Sequence, residues 1–308
     1  QACGLILAWA CANQNRFDGQ KAVTQPTRME GQPMTLSVNT NTGAQVALQN
    51  LNATNAQLAI TQSRINTGKS VATAKDNGAI WAIAQSQRAD IGALNAVNQS
   101  LNRGVAAVDV ALAAGETVSD LLLQLKEKAL SATDSSLTTS ARAALNEDFK
   151  SLRDQIATVT GNADFNGVNL LKTGATGFQA LANAQGTSTI TVAAEVLALG
   201  GAKVTITTTQ SIDTLTKATA SLTAVNTSIG NVSAALARLG TKSKALSTHL
   251  SFIGKLSDAL EAGVGNLVDA DLAKESAKLQ ALQTKQQLGV QALGIANQTP
   301  QLVLSLFR

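Results

Sequence analysis

The residues able to do chemistry are few and scattered. His249, in Thr248-His249-Leu250, is the sole histidine of the chain. One histidine builds neither a multi-histidine zinc site nor an H-E-x-x-H protease helix. There is no G-x-S-x-G elbow to supply a nucleophile, so His249 reads as a polar residue on a helix face. Cys3 and Cys11 are the only cysteines, which excludes a thiolate metal site or disulfide framework from Ala12 to Arg308. Asp269, Asp271 and Glu275 cluster, but without the glycine and twelfth-position glutamate of an EF-hand. With Lys274 and Lys278 in helical reach, these acids read as first-turn residues that favour a helix N-terminus. Gly200-Gly201 falls in a hairpin rather than a phosphate loop, and Trp81 and Phe165 read as packing residues. The expectation is no catalytic residue, no metal and no cofactor.

The elements around these residues are mostly helical. From Ala44 the apolar positions Ala44, Leu51, Leu58 and Ile65 recur every seven residues, with Leu48, Asn55 and Gln62 taken as the companion seam row. At the other end Leu272, Leu279 and Leu293 share one register, and Ala281, Leu288 and Ile295 hold a second. A seven-residue repeat gives a helix a seam that seeks another helix. Seams on two sides need more than one neighbour. Leu51, Leu58, Ile65, Leu272, Leu279, Leu288, Leu293 and Ile295 are therefore the expected subunit-packing residues, on ends that finish folding by joining other copies.

Between the ends, Asp76-Asn77-Gly78 signals a turn before a second helix running to about Ser131. A Ser/Thr loop over 133–140 precedes a third helix with Leu145, Phe149, Leu152, Ile156 and Val159, stopped by Gly161-Asn162 and the tight turn Asp164–Gly167. Alternation at Ile190 and Val192, and again at Val204 and Ile206, predicts a β-hairpin of Ser188–Ala194 with Lys203–Thr208. From Ile212 the helical period runs on to Leu260, a helix of roughly 70 Å at about 1.5 Å per residue. Gly263-Val264-Gly265 is the expected break before a last helix, Leu267–Gln298, which Pro300 ends. The fold class is mainly α: long helices in a coiled-coil or bundle architecture with a small β-hairpin region.

Composition narrows the partners. Charged residues make up 14% of the 308 residues and aromatic residues 3%, with no tyrosine. Soluble domains carry about 25% charge, so copies of this chain repel one another little. Scarce aromatics and a net charge of +4 without a basic tract argue against nucleic-acid binding. No apolar run approaches the roughly 20 residues of a membrane span. Residues 1–33 differ in composition and read as an N-terminal extension without function, which makes Met34 the expected start of the functional chain.

The two ends resemble bacterial flagellin. The N-terminal motifs are Ser37–Thr42, Leu51-Asn52, Arg64-Ile65-Asn66-Thr67-Gly68 and Ala74-Lys75-Asp76-Asn77-Gly78-Ala79, with Phe165-Asn166-Gly167 further on. The C-terminal motifs are Asn266–Ser276, Gln286-Gln287-Leu288-Gly289, Ala296-Asn297-Gln298 and Leu306-Phe307-Arg308. The short middle is similar to that of alphaproteobacterial members. The resemblance implies a layered organisation: core helices over 34–75 and 266–308, a rod domain over 76–172 and 212–265, and a small β-rich outer region over 173–211. It implies a non-enzymatic homopolymer in the extracellular flagellar filament, serving swimming motility. It also implies unfolded export through the flagellar type III apparatus, and a flagellin chaperone, a filament cap and hook-associated proteins as partners. A polysaccharide-binding surface homologue and a hook–filament junction protein are the alternative readings. Gln124 stands where receptor-activating members carry an arginine, which implies weak sensing by the animal Toll-like receptor. The Ser/Thr clusters at 131–140, 187–191 and 205–209 are either carriers of O-linked sugar, as on some flagellins, or plain solvated faces.

Overall fold

The computed structural model describes residues 40–305, with side chains described to residue 298. The extension 1–33 and the closing Leu306-Phe307-Arg308 lie outside the described residues. Five helices and one hairpin follow in order: α1 Thr42–Thr67, α2 Gly78–Ala132, α3 Thr139–Asn162, β1 Phe178–Leu181, β2 Thr189–Val192, α4 Leu215–Val268 and α5 Leu272–Ser305. The chain divides into two compact units. One comprises, of the described residues, 40–55 and 284–305; the other is 56–283.

The larger unit is built on α2 and α4, which run antiparallel. Asn77 starts α2 by accepting the Ile80 N–H at 3.2 Å, and Thr214 starts α4 by accepting from Lys217 N–H. Such caps satisfy amides that have no partner inside the helix. The apolar stripe of α2 (Leu94, Leu101, Val108, Val118, Leu122) meets that of α4 (Val225, Val232, Leu239, Leu246, Ile253) in one continuous core. Gly115 makes room for Leu236, whose Cδ2 lies 2.6 Å from where a Cβ on Gly115 would stand. The shorter α3 adds Phe149 and Ile156 to the same core. It is tied to the end of α2 by Arg142, whose Nε donates to the Ala132 carbonyl at 3.1 Å. The turn after α3 pairs Phe165 with Val168 around Asn166 (φ 51°) and Gly167 (φ 82°). Two consecutive left-handed residues are what Asn-Gly supplies in a two-residue hairpin turn.

The hairpin differs from the sequence reading. β2 contains Ile190 and Val192 as expected, but its partner is β1, with Phe178 opposite Val192 and Leu181 opposite Thr189. Lys203–Thr208 forms no strand. Val204 and Ile206 are fully buried, while α4 side chains take up the backbone groups around them. Ser228 Oγ accepts the Thr205 N–H at 3.0 Å, and Asn231 Nδ2 donates to the Ala202 and Lys203 carbonyls. A burial alternation of period two thus arises without a ladder. Thr205, in a Ser/Thr cluster read from sequence as either sugar-bearing or plainly solvated, is held against α4 by the same bonds, its hydroxyl donating to the Ala224 carbonyl at 3.0 Å.

β1 sits directly on α2. Leu181 N–H donates to Ser100 Oγ at 3.1 Å, and the Phe178 ring fills the space left by Gly104. At Gly177 a Cβ would stand 2.0 Å from the Val192 carbonyl oxygen, which is backbone and cannot rotate away. Gly177→Ala is therefore expected to lower stability by about 2 kcal/mol through overpacking. Gly230→Ala, a helical site with open space around it, is expected to raise stability by about 0.5–1 kcal/mol. Urea unfolding of the two variants side by side checks the contrast.

The ends of α4 and α5 also depart from expectation. α4 runs unbroken through Gly263-Val264-Gly265 to Val268, because glycine weakens a helix without ending it. The break falls at 269–271, where Asp269 is extended and its N–H closes onto the Gly265 carbonyl at 2.8 Å. Asp271 opens α5 instead, accepting from Ala273 and Lys274 N–H groups. The backbone of α5 continues past Pro300 to Ser305. A proline removes one helical bond, to the carbonyl four residues back. That carbonyl, on Ala296, is taken by Asn41 Nδ2 at 2.7 Å.

Candidate assembly interface

In α1 the row Ala44, Leu51, Leu58 and Ile65 is half-buried. Its companion row is Ala47, Thr54 and Thr61, not Leu48, Asn55 and Gln62. Thr54 and Thr61 are the most buried side chains of the helix, whereas Leu48, Asn55 and Gln62 are exposed. The signal was the three- and four-residue spacing from Leu51 and Leu58. Threonine hides it because its name is polar, although its hydroxyl can turn back onto its own helix, as Thr54 does to the Asn50 carbonyl at 2.8 Å.

In α5, Leu279 and Leu293 are half-buried and belong to the inner row, while Leu272 at its head is exposed. The second inner row is Glu275, Leu282, Gly289 and Ala296. Ala281, Leu288 and Ile295 lie on the outer face. α1 and α5 are antiparallel, and Leu51 Cδ1 comes within 3.2 Å of where a Cβ on Gly289 would stand. Gln286 Nε2 donates to Asn55 Oδ1 at 2.7 Å. Arg64 NH1 donates to Glu275 Oε1 at 3.0 Å. Glu275, which sequence grouped with Lys274 and Lys278, thus takes its cation from the other helix.

The outer faces, polar over much of their length, also carry large apolar side chains. Val46 and Ile60 on α1, and Leu288, Val290 and Ile295 on α5, are each about half or more exposed. Side chains of this kind are worth about 1.5–3 kcal/mol apiece when removed from water. A face with several of them has a strong drive to meet another apolar surface.

The connectors at 68–77 and 269–271 are stitched together. Ser70 N–H donates to the Val268 carbonyl at 2.7 Å and Ala270 N–H to the Gly68 carbonyl at 2.9 Å. Asp76 Oδ2 accepts from Thr73 N–H at 2.9 Å, Thr73 Oγ1 at 3.1 Å and Ala72 N–H at 3.1 Å. The Thr73 bonds foremost hold its carboxyl below the ordinary aspartate range.

Elsewhere, His249 Nε2 lies 2.8 Å from the Ala182 carbonyl and its ring 5.7 Å from Phe252, a structural tie from α4 to the hairpin. Glu195 is held by two cations. Arg238 Nε and NH2 donate to its two oxygens at 2.8 Å each, and Lys203 Nζ sits 2.5 Å from Oε2. The Arg238 bonds chiefly, then Lys203, lower its pKa despite burial. Trp81 packs beside the small cluster of Val71, Ala84, Val264 and Val268. Among the described residues no group of histidines, cysteines and acids is arranged to hold a metal ion, and no helix is long and apolar enough to cross a membrane.

Comparison with known proteins bears on the same two ends. The family model "Bacterial flagellin N-terminal helical region" matches residues 38–176, and "Bacterial flagellin C-terminal helical region" matches residues 222–307. Flagellin FljM of Caulobacter vibrioides is 57% identical over 272 residues, covering 88% of this chain and 98% of that protein. Flagellin FljK of the same organism is 56% identical over the same shares. A flagellin of Brucella melitensis is 38% identical over 285 residues, covering 88% of this chain and 99% of that one.

Proposed function

This chain belongs to the bacterial flagellin family: it is a structural, non-enzymatic subunit that polymerises into the extracellular flagellar filament, and we propose that its copies join through the outer faces of α1 and α5. The observation that carries this reading is the pair of exposed apolar rows. Val46 and Ile60 stand on one helix, and Leu288 and Ile295 on the other. The inner rows hold α1 and α5 together. The outer rows fit the same rows on neighbours. The expected packing residues thus divide into two jobs. Leu51, Leu58, Ile65, Leu279 and Leu293 pair the helices, while Leu288 and Ile295, with Leu272 at the head of α5, meet other copies.

In this reading α1 and α5 form the filament core, α2, α3 and α4 a surrounding rod layer, and the segment 173–211 the outer surface. The stitched connectors at 68–71 and 268–270 transmit load from core to rod. Export through the type III apparatus, a chaperone, the filament cap and hook-associated proteins complete the proposed partners, because a subunit with exposed apolar ends needs shelter before it is placed. The test is seeded growth: heat-dissociated subunits are cooled, given short seeds and viewed by electron microscopy. Full-length chains should extend the seeds. Chains trimmed of both α1 and α5 should stay monomeric with the α2–α4 unfolding transition retained. Seed extension by the trimmed chain would overturn the assignment.

A further inference from the structure

The apolar rows alone cannot say which register α1 and α5 adopt. Ala44, Leu51, Leu58 and Ile65 repeat every seven residues, and so do Leu272, Leu279 and Leu293 around Gln286. Sliding one helix by seven residues puts leucine against leucine again. Three polar contacts do not repeat. Arg64 reaches Glu275 at 3.0 Å, and Glu275 is only 9% exposed with its second oxygen buried and unbonded, so among the described residues Arg64 is the one cation paired with it. Asn55 accepts from Gln286 at 2.7 Å. Asn41 Nδ2 fills the Ala296 carbonyl at 2.7 Å, an acceptor on α5 left without its helical donor because residue 300 is proline.

We propose that these contacts, keyed by Pro300, form a register latch that selects one antiparallel alignment of α1 with the α5 of its own chain over alignments slipped by a heptad. A slip one way turns Arg64 toward Leu282 and Asn55 toward Leu293. A slip the other way turns Glu275 toward Gln57 and Asn55 toward Leu279. In both, Glu275 loses its cation and the freed carbonyl loses its donor. Uncompensated buried polar groups of this kind are the usual means by which a seam of equivalent leucines is confined to one pairing. In a polymer the point matters, because each α1 meets many copies of α5.

The latch is read by cross-linking, and the inference rests on the assembly reading above. In the full chain with Cys3 and Cys11 changed to serine, Gly289→Cys is combined in turn with Leu51→Cys, Ala44→Cys or Leu58→Cys. A Cβ on Gly289 would stand 3.9 Å from the Leu51 Cβ, within the range of a disulfide. The other two pairs report slips of one heptad in each direction. In filaments the 51–289 disulfide should exceed either slipped one more than tenfold. Adding Pro300→Ala, Asn41→Ala, Asn55→Leu and Gln286→Leu should bring the ratio below threefold. Pro300→Ala with Asn41→Ala should lower it at least threefold if the larger variant does not assemble. The exchange Arg64→Glu with Glu275→Arg should keep the preference, whereas either change alone should weaken it. An unchanged ratio in the de-latched chains, or an exchange no better than its single changes, overturns the latch. Failure of the chain with its latch intact to grow filaments counts against the assembly reading instead, and a dominant 51–289 disulfide in that case would still support the latch.

Discussion

Changing Leu288 and Val290 to glutamate together is expected to abolish filament growth while leaving the subunit folded. The two side chains are 59% and 57% exposed, Leu288 on the back of α5 and Val290 on its flank. Removing them takes nothing from the inner rows. In an assembled neighbour contact each would contribute about 1.5–3 kcal/mol. The pair then amounts to about 3–6 kcal/mol per subunit, which raises the concentration needed for growth by roughly 10²- to 10⁴-fold. The new carboxylates act further in the same direction, since burying them without partners carries its own penalty. Sedimentation after seeding measures the loss, and thermal unfolding of the α2–α4 core should be unmoved. Filaments at the usual subunit concentration would show that these faces do not meet other copies. A matched control, Lys255→Glu on exposed α4 surface, should assemble normally.

The long helices were legible because their period is local. α2 and α4 repeat apolar residues every three or four positions for more than fifty residues, and Asn77 and Thr214 stand at their starts. What escaped reading was decided by distant partners. Val204 and Ile206 alternate like a strand, yet Ser228 and Asn231, more than twenty residues on, take the bonds a neighbouring strand would have made. Thr61 is fully buried in the α1 seam although its type points outward. Pro300 reads as a stop until Asn41, 255 residues before Ala296, is seen to fill the carbonyl that the proline frees. The outer faces were partly legible: the row Ala281, Leu288 and Ile295 was visible by period. The inward face of α5 is the one on which Glu275 meets Arg64, and no spacing rule carries that information.

Glu195 is a residue that its sequence neighbourhood barely marks. Its one local signal is a lone charge inside the apolar run Ala193–Leu199, and a lone buried charge requires a partner. Arg238 and Lys203 supply it, while the Glu195 and Leu197 N–H groups pair with the Leu170 and Leu171 carbonyls. The carboxylate thus pins the segment after β2 onto α4. Breaking a buried pair costs about 3–5 kcal/mol. Here Arg238 is half exposed and can return to water, so Glu195→Ala should lose about 3 kcal/mol. The loss should appear first as faster amide exchange over 193–206. The pH dependence follows from the sign of the shift. Because the folded-state pKa lies below the unfolded one, the contribution is complete above the ordinary glutamate range and vanishes as pH falls through the depressed folded value. The native chain should therefore lose protection of 193–206 on acidification, and Glu195→Ala should show low protection there at every pH. If the variant's acid profile paralleled that of the native chain, the clasp would not be what holds this segment.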